Sequence, residues 1–110
     1  MALRSVSVTA LDIGATPLLI AAQNGHDTVI ARLLAAGASV DKALDTSGVT
    51  PLMCAAHFGH VQCARLLLGG GADANAAATA ANAVLGSEAG DTALSLARTA
   101  RHTEVVELLE

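Results

Sequence analysis

Residues 14–26 read Gly14-Ala15-Thr16-Pro17-Leu18-Leu19-Ile20-Ala21-Ala22-Gln23-Asn24-Gly25-His26, and the pattern returns 34 positions later as Gly48-Val49-Thr50-Pro51-Leu52-Met53-Cys54-Ala55-Ala56-His57-Phe58-Gly59-His60. Self-similarity at such a period marks a repeat architecture, in which one supersecondary unit is stacked several times. Each copy runs on into apolar residues at helical spacing and closes on Gly-Ala: Val29, Ile30, Leu33, Leu34, then Gly37-Ala38; and Cys63, Leu66, Leu67, Leu68, then Gly71-Ala72. A weaker third copy starts 42 positions after the second, at Gly90-Asp91-Thr92-Ala93-Leu94-Ser95-Leu96-Ala97-Arg98, and continues through His102, Val105, Val106, Leu108 and Leu109.

The repeated residues have physical reasons. A threonine oxygen at Thr16 or Thr50 can accept a bond from the free N–H groups of a helix start, and proline fits the next position, where a missing N–H costs nothing. Gly25 and Gly59 come at the helix end, where a positive φ lets the chain reverse into a second, antiparallel helix. The pairs Ala21-Ala22 and Ala55-Ala56 keep the first helix slim, so that neighbouring pairs approach closely while Val, Ile and Leu fill the seam. One such pair cannot bury its own apolar face, so stability must come from the stack.

Thr-Pro-Leu, Ala-Ala, Gly-His, the Leu pair and Gly-Ala, in register, resemble the ankyrin repeat, whose period is about 33 with a Thr-Pro-Leu-His-x-Ala signature. The resemblance implies an all-α repeat solenoid of stacked antiparallel helix pairs joined by β-hairpin-like loops. On that basis residues 1–10 are an N-terminal tail and candidate remnant of a preceding repeat, 11–43 the first repeat, 44–76 the second, 77–89 an Ala-rich linker insertion and 90–110 a truncated third repeat. The histidine of the family signature is Leu19, Met53 and Ser95 here, so its local hydrogen bond is expected to be lost and replaced by apolar packing. In the third copy Ala93 replaces proline and Arg101 replaces the helix-ending glycine, at about 1 kcal/mol if the positive φ is kept. Arg32, in a leucine slot, fits an uncovered end face. Ser5-Val6 through Asp12 echoes Ser39-Val40 through Asp45, and Glu110 falls within a helix pattern. The chain therefore reads as a piece of a longer array, marginal in stability.

The longer second linker, Ala76 to Ala89, admits a hairpin or a short helical turn ending near Gly86. A mobile loop is the simpler expectation, and an extended finger touching a partner is the sharper one.

Composition narrows the function. The chain has 110 residues, 53% of them hydrophobic, 25 of them alanine and one aromatic, with a net charge of −4. One small domain without a thick core of rings follows. Phosphate contacts need a basic patch and base stacking needs aromatics, so nucleic-acid binding is disfavoured. Mean hydropathy is +0.53, yet the uncharged stretch from Ser47 to Ala64 holds Pro51, two histidines, Gln62 and two glycines, and no membrane insertion is expected. Met1 to Ala10 lacks the form of a secretory signal, and two cysteines make no disulfide framework; an intracellular setting, cytoplasmic or nuclear, is the expectation.

No chemical constellation stands out. His26, His60 and His102 recur one repeat apart, about 8–10 Å in a helical stack, whereas ligands of one zinc ion lie about 2.0–2.3 Å from it. They read as structural histidines bonding a backbone carbonyl within or between repeats. Cys54 takes the slot of Ile20 and Leu96, and Cys63 that of Val29 and Val105, as small core hydrophobes. Gly69-Gly70-Gly71 lacks the Lys-Ser/Thr of a phosphate loop and reads as a loose helix end. No catalytic residue, metal site or cofactor is expected, and so no enzyme. Asn75, within Gly71-Ala72-Asp73-Ala74-Asn75, resembles the asparagine that an intracellular oxygenase hydroxylates in ankyrin repeats; the competing reading is a structural turn residue.

The resemblance implies a scaffold that binds another protein or peptide along a concave strip of linker tips and first-helix ends. Residues fixed between copies serve the stack, and those that vary are available to a partner. That subtraction selects Gln23, Asn24, Lys42, Asp45, Thr46, His57, Phe58 and Thr99, with Phe58 either a flat anchor or half buried under a neighbour. A monomer is expected. The alternative is a structural spacer or fragment of a larger multidomain protein such as a channel, a kinase or a ubiquitin-ligase adaptor.

Overall fold

The computed structural model describes residues 15–110. The expected tail, its echo of the linker and the start of the first repeat up to residue 14 lie outside the described residues. Six helices follow in three pairs: α1 (Pro17–Asn24) and α2 (Asp27–Ala35), α3 (Pro51–Phe58) and α4 (Val61–Gly69), α5 (Ala93–Ala100) and α6 (Thr103–Leu109). Among the described residues the only β pairing is two isolated antiparallel bridges, Ala77 with Thr92 and Asn82 with Ser87. No described helix is long and apolar enough to cross a membrane.

Each first helix starts as its sequence requires. Thr16, Thr50 and Thr92 are extended and their hydroxyls accept from the N–H groups of Leu19, Met53 and Ser95 at 3.1, 3.2 and 3.2 Å. Pro17 and Pro51 occupy the first turn, where no N–H is needed. Each ends in a left-handed residue: Gly25 (φ 77°), Gly59 (φ 75°) and Arg101 (φ 64°), so the third copy keeps the turn without the glycine. The third copy also corrects one expectation. Ser95, in the slot of the missing histidine, does make local bonds: its hydroxyl accepts from the Thr92 N–H at 2.8 Å and lies 3.0 Å from an Asp91 carboxylate oxygen, completing a capping box. Apolar packing takes over only at Leu19 and Met53, both fully buried.

The pairs stack in two rows. α1 packs on α3 and α3 on α5; behind them α2 packs on α4 and α4 on α6. The middle helix carries the core, with every residue from Pro51 to Ala56 buried. Around it Leu18, Leu19, Ile30, Leu67 and Val105 are almost wholly removed from water, each such side chain contributing about 1.5–3 kcal/mol relative to exposure. Cys54 and Cys63 are buried and outside any disulfide. Burial, then the charge of Asp27, push the Cys63 thiol above its ordinary range, the opposite of an activated nucleophile. At the end of α4, Gly70 lies against Leu34 of the preceding pair, where an added Cβ would stand 3.1 Å from a leucine methyl.

Histidine and glycine join one pair to the next. His60 Nε2 donates to the Gln23 carbonyl, 3.1 Å away in the preceding repeat, and its ring covers Gly25, where a Cβ would stand 2.8 Å from it. His102 covers Gly59 in the same way at 2.6 Å.

Candidate protein-contact surface

Loops at the surface of a repeat stack are free to vary while the helices beneath hold them in place. The linker between the first two pairs turns tightly: the Leu44 N–H donates to the Val49 carbonyl at 2.9 Å and the Gly48 N–H to the Leu44 carbonyl at 2.8 Å. The second linker repeats both bonds, Ala78 N–H to Asp91 at 2.8 Å and Gly90 N–H to Ala78 at 2.7 Å. The added eight residues therefore lie at the tip of the turn, between Ala78 and Gly90, and the base of the hairpin is unchanged.

That insert makes specific bonds to the first linker. The Thr79 N–H donates to the Ser47 carbonyl at 2.8 Å, and its side chain covers Gly48, where a Cβ would stand 2.9 Å from the hydroxyl. Asn82 and Ser87 exchange backbone bonds at 3.0 and 3.1 Å, forming a second, smaller hairpin. The Asn82 side-chain oxygen accepts from Val84 and Leu85, and its amide donates to the buried Ser47 hydroxyl at 3.2 Å. Leu85, 5% exposed, closes a groove walled by Leu19 and Gln23 of α1, Cys54 of α3 and Leu44 of the first linker. About 10 Å³ of space is left there, room for one water at most.

The residues selected from the sequence fall into four groups. Gln23 lies beneath the insert, with Asn24 partly exposed at the end of α1. Lys42 and Asp45, with Thr46, are exposed on the first linker, where the ammonium and carboxylate pair at 3.0 Å. His57 and Phe58 end α3: the Phe58 ring meets His57 edge-on at 4.7 Å and stacks on His60 at 6.3 Å, leaving it half-buried. Burial, then the charge of His102, hold His57 below the ordinary histidine range. Thr99 is exposed on α5, its hydroxyl donating to the Ser95 carbonyl at 2.9 Å. Asn75 is exposed in a turn closed by its N–H donating to Asp73 at 2.9 Å. Asp73 in turn donates its N–H to the Asp41 carboxylate at 3.0 and 3.2 Å, tying the second linker to the first.

The sequence reading missed Asn82, Leu85 and Ser47 as parts of this face. A signal was present: asparagine before a short apolar run and Gly86 is a turn pattern. Among the described residues no group of three or more His, Cys, Asp or Glu side chains is placed to hold a metal ion.

Three helix pairs in two rows, the first helix of each capped by a threonine, define a helical repeat protein. A family model described as ankyrin repeats (3 copies) matches residues 4–78, more than half of the chain, and the chain belongs to the ankyrin-repeat family. The matched region stops where the insert begins and leaves α5 and α6 outside it. No curated protein matches the chain.

Proposed function

We propose that the chain is a protein-binding module whose partner, a protein or peptide, lies along the linker tips and the ends of the first helices. Ankyrin repeats as a class are interaction modules. What carries the finer reading is the division of residues within this stack. Positions identical between copies, such as Thr16 and Thr50, Gly25 and Gly59, cap helices or seat a neighbour's histidine. Positions that differ, Gln23 against His57 and Asn24 against Phe58, end the first helices, and Lys42, Asp45 and Thr46 are on the first linker. Phe58 is the anchor of this strip, because a half-buried ring gives contact area at little loss of side-chain freedom. Lys42 and Asp45 supply orientation and association rate more than affinity.

The test is affinity capture with the native chain and with the His57→Ala/Phe58→Ala variant, after circular dichroism has shown both folded. Loss of the captured protein in the variant supports the strip. A full set of bound proteins retained by the variant places the contact elsewhere.

A further inference from the structure

The insert lies on part of that strip. We propose that the groove between α1 and α3 is a binding surface that the chain fills with its own residues: Leu85 stands where a partner's branched aliphatic side chain would go, and a partner of this face must lift the insert to bind. The inference rests on the interaction reading above, and it names the partner chemistry of one end of the strip.

Three observations carry it. First, the insert is an addition to a turn that closes without it. The two bonds at its base match those of the first linker, and removing residues 81–88 would restore the 34-residue spacing of the first two copies. Second, its contact with the groove is narrow along the chain: Asn82, Val84 and Leu85 line it, with Asn82 bonded to Ser47, while Ala81, Ala83, Gly86 and Glu88 are exposed. Third, closure leaves a buried hydroxyl unsatisfied: Ser87 Oγ is covered and has no hydrogen-bond partner among the described residues. Lifting the tip hydrates that group, which offsets part of the loss of Leu85 burial and keeps the open form accessible.

The groove specifies its occupant. Leu19, Leu44 and Cys54 make apolar walls, and the carbonyl of Ser47, the residue bonded to the lining Asn82, accepts two backbone N–H groups, from Thr79 at 2.8 Å and Ala80 at 3.3 Å. An aliphatic side chain carried on a turn with free N–H donors meets both requirements. The surface is therefore complementary to a leucine-bearing turn, and the insert is the copy of it that the chain supplies.

Cys54 reports the state of the groove, since it lines the same space as Leu85, and Cys63, buried in α4, controls for general unfolding. The experiment measures the reaction of each cysteine with an aromatic disulfide reagent, located by mass spectrometry. It compares the native chain, Leu85→Ser, and a variant lacking residues 81–88. Cys54 should react at least tenfold faster in both variants while Cys63 is unchanged. A cyclic peptide of residues 80–88 added to the shortened variant should slow Cys54 again, and the same peptide with serine for leucine should not. Equal Cys54 rates in the native chain and Leu85→Ser would overturn the proposal. So would a parallel rise at Cys63, which makes the insert part of the core, or a failure of the leucine peptide to protect at saturation. None of these readings requires the natural partner, so failure of the capture experiment and failure of this one are separate results.

Discussion

The ring of His102 stands where a side chain on Gly59 would have to go, with Nδ1 2.6 Å from the site of a Cβ. Gly59 therefore has two duties: a φ of 75° that closes α3, and an empty face on which the next repeat rests. Alanine at Gly59 meets both constraints, losing about 1 kcal/mol to the left-handed backbone and more to the collision. We expect Gly59→Ala to lower stability by about 2–3 kcal/mol in urea unfolding. Gly86→Ala, at φ 65° with no described residue within 4 Å of its Cβ, should lose only about 1 kcal/mol. Combining Gly59→Ala with His102→Ala should destabilise by less than the sum, because the double variant has no ring for the new Cβ to meet.

Arg101 holds the same turn with a side chain present. Its φ of 64° is left-handed, and glycine there removes the Cβ strain while giving the unfolded chain more freedom. The first effect is the larger. Arg101→Gly should raise stability by about 0.5–1 kcal/mol, read as a higher urea midpoint at unchanged slope.

Thr50 and Thr16 make the same cap in different surroundings. The Thr50 hydroxyl is buried with the Met53 N–H that it serves, whereas Thr16 is half-exposed and water can replace it at Leu19. Thr50→Ala should destabilise by about 2 kcal/mol and Thr16→Ala by about 0.5–1 kcal/mol. Equal losses would mean that burial of the donor does not govern the effect.

The parts of the fold that were legible in the sequence are those written locally. Thr-Pro, the Ala pair and Gly-His each act within a few residues, so the six helices and their turns follow from spacing alone, and even Arg101 keeps the conformation of the glycine that it replaces. The insert is different. Its Ala-rich stretch has no periodicity, and its shape is set by Gly48, Ser47, Leu44 and Leu19, residues about 30 to 65 positions away whose proximity exists only once the pairs have stacked. Ser95 was misread for a related reason: matched against a repeat slot it looks like a missing histidine, but beside Thr92 it reads as half of a capping box.

His57 should make the stack sensitive to mild acid. Burial beside Phe58, and the charge of His102, hold its folded pKa below the ordinary histidine value of 6.5. The unfolded chain therefore binds a proton at His57 more readily than the folded one, and stability must rise with pH where the two differ. The contribution of neutral His57 is fully present above pH 6.5 and is lost as pH falls through the lower, folded value. The urea midpoint of the native chain should decline between pH 7.5 and 5.0, and that of His57→Gln should decline less, because glutamine fills a similar volume and does not titrate. The difference between the two curves reads His57 together with its coupling to His102. Parallel curves would mean that His57 is as easily protonated folded as unfolded, and that its place beside Phe58 leaves it hydrated.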